Sequence, residues 1–275
     1  MTSHVAYYVP LPAPTRQAPP GAHGDGERFA STPATVSVWA DTMQHGAPPS
    51  ALLVRALERH DARPDTRLTR VVVEILGAVP VAELDVHCRT VRPGKQIELL
   101  TAELWTVGDD PRPVARAHGW RMATLDTSAV ARTVDAPLAP GSAGAPTDMW
   151  PSWGSGYLDT LDWSWVTAPG GTEPGRVWAR PTPALVEGEE PTALERLFCV
   201  ADVSNGIGAK LDPAHWTFMN TDLTVHVHRI PTGEWVGVSA DTSVGPDGVG
   251  MCAGVLYDEA GAVGRITQTV LVRPR

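Results

Sequence analysis

The sequence predicts an α+β fold made of two fused repeats, each a curled antiparallel sheet wrapped around one long helix. Three observations lead there. A helix-forming run followed by about four strand-like runs in meander order occurs in each half, and a stretch rich in Ala, Pro, Gly, Ser and Thr separates the halves. Residues also match across the halves: Leu84-Asp85-Val86-His87 falls on Leu223-Thr224-Val225-His226 at an offset of 139, which carries Gly94 onto Gly233 and Ile97 onto Val236. At a larger offset Val114 and Arg116 fall on Val263 and Arg265. The division expected is a Pro-rich arm at 1–25, repeat one at 26–125, a linker at 126–150 and repeat two at 151–275.

In the first half, Ala47-Pro48-Pro49-Ser50 leads into Ala51–Leu57, whose apolar positions 52, 53, 56 and 57 have helical spacing. The run is apolar nearly all round, as a helix enclosed by a sheet should be. Strands are expected at Arg70–Leu76, Glu83–Arg89, Ile97–Val107 and Pro113–Ala123, with a turn at Arg92-Pro93-Gly94-Lys95. Glu83–Arg89 alternates, with Leu84, Val86 and Cys88 on one face and Asp85, His87 and Arg89 on the other.

In the second half, Trp178 and Arg180 lie on an expected strand, and Pro191–Ser204 reads as a helix that Asn205-Gly206 stops. Strands follow at Trp216–Arg229, Glu234–Thr242, Gly250–Tyr257 and Gly264–Arg273. Duplication has a physical reason: one curled sheet leaves open edges, and joining two gives a longer continuous sheet.

Composition narrows the function classes. A hydrophobic content of 43% can build a substantial core, and the formal charge of −9 argues against a general nucleic-acid binder. Lys95 and Lys210 are the only lysines, so positive charge is almost all arginine, which suits phosphate recognition. Cys88, Cys199 and Cys252 are far apart and lack metal or CxxC spacing, so reduced thiols in a cytoplasmic protein are expected. No run approaches the roughly 18 apolar residues of a membrane helix, and the amino terminus reads as an extended or partly disordered arm rather than a signal peptide.

The last 60 residues or so carry a family resemblance. They hold Asn220-Thr221-Asp222-Leu223-Thr224-Val225-His226-Val227-His228-Arg229, then Gly233-Glu234-Trp235, Thr242-Ser243, Gly254–Asp258, and Gln268 ahead of Val270–Arg273. This order resembles the thioesterase-like superfamily that includes acyl-CoA thioesterase II, whose fold is the double hotdog. In the first half His45-Gly46-Ala47 and the following helix resemble the family's Gly-Gly helix start, with Ala47 in place of the second glycine.

The resemblance implies hydrolysis of an acyl-CoA thioester by a water that an Asp, a Thr and a Gln orient. Carried over by position, these are Asp222, Gln268, and either Thr242 or Ser243. A carboxylate can act as base, a hydroxyl and an amide can hold the water, and N–H groups at a helix start can meet the oxyanion. His45, Gly46 and Ala47 are therefore candidate substrate-binding residues. Asp202 and Asn205 read as capping or turn residues and remain second-choice site residues, because other hotdog enzymes place an acid on this helix.

Other readings stand beside these. Asn220, Asp222, Thr224, His226 and His228 fall on one strand face, which as a polar face is ordinarily just wet. His226 and His228 lack a third metal ligand, and no cofactor or metal is expected. Trp150, Trp153, Trp163 and Trp165 either anchor the linker or wall an acyl chain. A non-catalytic acyl-CoA or lipid binder is one alternative function. A hotdog hydratase or dehydratase is another, though neither the Asp-x4-His nor the His-x3-Gly-x4-Pro motif is present. The expected partners are an acyl-CoA thioester and further copies of the chain, with no nucleic acid and no membrane.

Overall fold

The computed structural model describes residues 5–13, 26–143 and 156–275. The first half comprises β1 (Ala6–Leu11), β2 (Gly26–Ser31), α1 (Ala47–Arg59), β3 (Thr66–Ile75), β4 (Glu83–Arg92), β5 (Ile97–Thr106) and β6 (Pro113–Ala123). The second comprises β7 (Ser142–Ala143), β8 (Leu161–Thr167), β9 (Gly175–Pro181), β10 (Ala184–Val186), α2 (Ala193–Ala201) and α3 (Ser204–Ile207). It continues with β11 (Trp216–Asn220), β12 (Asp222–Val227), β13 (Val236–Val244), β14 (Val249–Asp258) and β15 (Gly261–Pro274).

All the strands form one sheet, in the order β10-β1-β2-β4-β5-β6-β3-β12-β15-β14-β13-β9-β8-β7, with β11 also on β15. Read outward from the centre, β3-β6-β5-β4-β2 mirrors β12-β15-β14-β13-β9. The two repeats thus share one strand order and meet at β3 and β12, which run antiparallel from Asp222 opposite Glu74 to His226 opposite Arg70. This is the double hotdog α+β arrangement that the sequence predicts.

The residue-level repeat needs correcting. Leu84–His87 lies on β4, the fourth strand out from the seam, whereas Leu223–His226 lies on β12, the first. The counterpart of β4 is β13. The match of three residues in four at offset 139 is coincidental, while Val114 and Arg116 with Val263 and Arg265 do fall on equivalent strands, β6 and β15.

Helix α1 packs against β3, β4, β5 and β6 and against α2. Every residue from Ala47 to Leu57 is buried, which explains the all-round apolar pattern. Arg55 is the exception in kind: it is 3% exposed, and its guanidinium is forked onto Glu27 and Glu189. A buried charge is tolerable only with such partners.

Helix α2 begins on a capping box, in which Thr192 and Glu195 satisfy each other's exposed backbone donors. It is shorter than expected. It ends at Ala201, and the chain re-enters a helical turn, α3, through the very Asn205-Gly206 pair that was expected to stop it. The Ser204 hydroxyl donates to the Ala201 carbonyl, and Val203 N–H to the Val200 carbonyl, so bonds three residues apart replace the helical ladder there.

The single strand expected at Trp216–Arg229 is also broken. Asn220 pairs with Val270 and Thr224 with Thr267, so three residues on one strand face two on the other. That extra residue is a β-bulge, and it inverts the alternation. Phe218 and Asn220 face the interior before it, and Leu223, Val225 and Val227 after it.

The arm is only partly separate from the body. Ala6–Leu11 forms β1, antiparallel to β2 and parallel to β10 of the second half, with Tyr7 and Tyr8 fully buried. The described part of the linker is fastened to repeat two. Trp178 Nε1 donates to the Ala139 carbonyl, and Arg265 pairs with Asp135. No helix among the described residues is long and apolar enough to cross a membrane.

Candidate active site

The tip of α1 is short of donors. Pro48 and Pro49 have no N–H, and Gly46 at the N-cap has no side chain to cap with. This leaves the N–H groups of Gly46 and Ala47, at the positive end of the helix dipole. The Ala47 N–H donates to His45 Nδ1 at 3.1 Å. His45 is stacked on Tyr157 with ring centroids 4.5 Å apart, and the Tyr157 hydroxyl is bonded to the Cys199 carbonyl.

The break after α2 delivers Asp202 to this tip. Its Oδ1 accepts from Asn220 Nδ2 at 2.7 Å and from Gln268 Nε2 at 3.1 Å. Its Oδ2 lies 3.4 Å from His45 Nδ1. A Cβ at position 46 would come within 2.5 Å of Oδ2, so the approach depends on Gly46 having none. Asp202 is 4% exposed, and among the described residues no arginine or lysine lies within ion-pairing distance of it. Burial holds His45 below the usual imidazole range, with the Asp202 charge opposing the shift.

These groups stand at one end of a cavity of about 500 Å³. Its walls are mainly apolar, with Trp39, Trp163, Trp165, Phe218, Leu158 and Ile75 among them. Trp163 and Trp165 are stacked at 5.4 Å, and Trp39 meets Phe218 edge-on at the same distance. Trp150 and Trp153 lie outside the described residues. A mostly apolar cavity with a few convergent polar groups is the usual form of a small-molecule site.

The residues singled out from the sequence divide sharply. His45, Gly46, Asp202 and Asn205 line the cavity, and Gln268 is buried against Asp202. Asn205 Nδ2 donates to the Phe218 carbonyl, which pins α3 to β11. Ala47 is fully buried at the helix tip.

Asp222 does not join this group. It sits past the bulge on the opposite face, where its Oδ1 accepts from the Thr269 N–H at 2.9 Å. Thr242 faces inward on the same cross-strand row as Gln268, but Cys252 stands between them. Ser243 is exposed. His226 and His228 are exposed too, and no metal-binding cluster occurs among the described residues. Cys199 and Cys252 are free thiols that burial pushes up, Cys252 to about 12. The residue that the sequence reading missed is Asn220. Its place beside Gln268 was visible only to a reading that broke the strand at Thr221.

A mirrored pair of hotdog repeats is the fold of the thioesterase-like superfamily, and the comparisons agree with that assignment. Residues 35–122 match the acyl-CoA thioesterase N-terminal domain, and residues 134–272 match the acyl-CoA thioesterase C-terminal domain. The chain belongs to this acyl-CoA thioesterase family and is thioesterase II-like in its organisation.

Solved structures share the fold at low identity. A hot dog fold protein of unknown function from Alicyclobacillus acidocaldarius superposes with a TM-score of 0.70 at 13% identity, covering 93% of this chain and 95% of that one. A proposed thioesterase from Novosphingobium aromaticivorans gives 0.69 at 16%, covering 95% and 98%. A proposed thioesterase II from Thermobifida fusca gives 0.68 at 17%, covering 90% and 92%. No curated protein matches the sequence.

Proposed function

We propose that the chain hydrolyses a fatty acyl-CoA or related thioester, with Asp202 as the base that takes a proton from the attacking water. The observation that carries this reading is the placement of the Asp202 carboxylate. Asn220 and Gln268 both donate to Oδ1, so Oδ2 is the oxygen left for water, and it faces the tip of α1. A thioester carbonyl received by the Gly46 N–H would present its carbon beside that water. Amides in this position donate to the carboxylate and still have oxygens that can accept from water. Gln268 Oε1 in particular has no partner among the described residues. The oxyanion collapses with expulsion of the CoA thiolate, and no covalent intermediate is needed.

This reading keeps Gln268 from the sequence-derived set, moves the acid from Asp222 to Asp202, and puts Asn220 where a Thr or Ser hydroxyl was expected. The test is release of free CoA thiol from acyl-CoA esters of graded chain length. Turnover on at least one ester supports it. Binding of the esters without turnover would establish the acyl-CoA-binding alternative instead.

A second reading is favoured by one observation, the approach of His45 to Asp202. Hotdog hydratases and dehydratases pair an Asp with a His, and the fold supplies such a pair from residues far apart in sequence. Loss of enoyl absorbance from an enoyl-CoA, without thiol release, would select that reaction.

A further inference from the structure

We propose that His45 is a positioning residue set between Asp202 and the Ala47 N–H, so that the proton Asp202 takes from water moves on to its Nδ1 and the carboxylate is restored. The proposal rests on the hydrolytic reading above and deepens it. His45 Nδ1 has a single lone pair and two neighbours: the Ala47 N–H at 3.1 Å and Asp202 Oδ2 at 3.4 Å. It cannot accept from the first while donating to the second. With Nδ1 accepting from Ala47, the neutral ring carries its proton on Nε2.

The ring is not free to resolve the competition by turning. It is stacked on Tyr157, which is tied by its hydroxyl to the Cys199 carbonyl and packed on Tyr7 at 5.6 Å. The exchange at Nδ1 is therefore made by a proton rather than by ring motion. The titratable groups around His45 are Asp202 at the end of α2, Cys199 within α2, Tyr7 on β1, and Tyr157 and the cavity-lining Asp159 on the segment before β8. Burial keeps both tyrosines and Cys199 protonated, and Asp202 is the carboxylate in contact with His45. A buried imidazole held below its usual range stays neutral at pH 7 and can receive a proton.

The step balances. A water lone pair bonds to the thioester carbon while the carbonyl π pair moves onto oxygen. The water proton goes to Asp202 Oδ2 and on to His45 Nδ1. The Gly46 N–H meets the new oxyanion, while the Ala47 N–H goes without its acceptor until His45 is neutral again. Collapse restores the carbonyl and breaks the C–S bond. The sulfur leaves with the electron pair and takes the proton back through Asp202, which gives a carboxylic acid and CoA thiol with His45 neutral again.

Two readouts test this on the full chain. In nitrogen-15 NMR of the histidine rings, His45 should be neutral and unprotonated at Nδ1 at pH 7. The Asp202→Asn substitution should lower its midpoint further, because the carboxylate charge is what raises it. In acyl-CoA hydrolysis, His45→Gln should lower kcat about 10–100-fold with KM within about threefold, and should shift the acidic limb of the pH–kcat profile, which Asp202 still sets. A His45 midpoint that Asp202→Asn leaves unmoved would overturn the proposal, as would wild-type kcat and pH profile in His45→Gln. If the wild-type chain releases no CoA from any ester, the hydrolytic reading fails, and the NMR titration still decides whether His45 and Asp202 are coupled.

Discussion

The two repeats share a strand order and use it differently. Repeat one keeps its helix and its seam whole: α1 runs unbroken for 13 residues, and β3 pairs continuously with β12. Repeat two breaks at the cavity, once where α2 gives way to α3 and once at the bulge between β11 and β12. Asp202 sits at the first interruption and Asn220 at the second. Repeat one contributes a bare helix tip, and repeat two contributes the side chains that meet it. The comparison teaches that the polar groups of the proposed site come from two local breaks in the second copy, since each re-aims a polar side chain into the cavity.

The comparison can be broken most forcefully at the carboxylate. Asp202→Asn should lower kcat/KM for an acyl-CoA ester by about 10²–10⁴-fold, the range expected for loss of a general base. Next, Gly46→Ala should lower it by about 10²-fold, because a methyl 2.5 Å from Oδ2 must push Asp202 off the helix tip. Steady-state kinetics on well-folded variants checks both.

A core change of similar severity should act on stability alone. Leu53→Ala, in the fully buried face of α1, should cost about 2–5 kcal/mol in denaturant unfolding. The smallest effect belongs to the other acid. Asp222→Ala should leave kcat/KM within about threefold while costing about 1–2 kcal/mol, because its role is to accept the Thr269 N–H at the bulge.

Regular elements were the legible ones. The expected strand at Pro113–Ala123 coincides with β6, and that at Ile97–Val107 differs from β5 by one residue. Alternation and turn residues suffice for these two strands because the register shifts in their pairings fall near strand ends. The breaks were not legible, because they depend on partners distant in sequence. The register of β15 against both β11 and β12 creates the bulge, and the continuous alternation assumed from Asn220 to His228 placed Asn220 and Asp222 on one face. The Asn205-Gly206 pair reads locally as a helix stop, yet Asn205 is held in α3 by the Phe218 carbonyl. β1 was hidden in a Pro-rich setting because half of its pairing comes from β10, far along the chain. The pairing of His45 with Asp202 has no motif at all, since the two residues lie on different repeats.

The central claim is that the acid of this site is Asp202 and not Asp222. Thiol release from one acyl-CoA ester should be measured side by side for the wild type, Asp202→Asn and Asp222→Asn, each verified as folded. The account predicts loss of turnover in Asp202→Asn and near wild-type turnover in Asp222→Asn. The reverse pattern, with Asp222→Asn inactive and Asp202→Asn active, would contradict it.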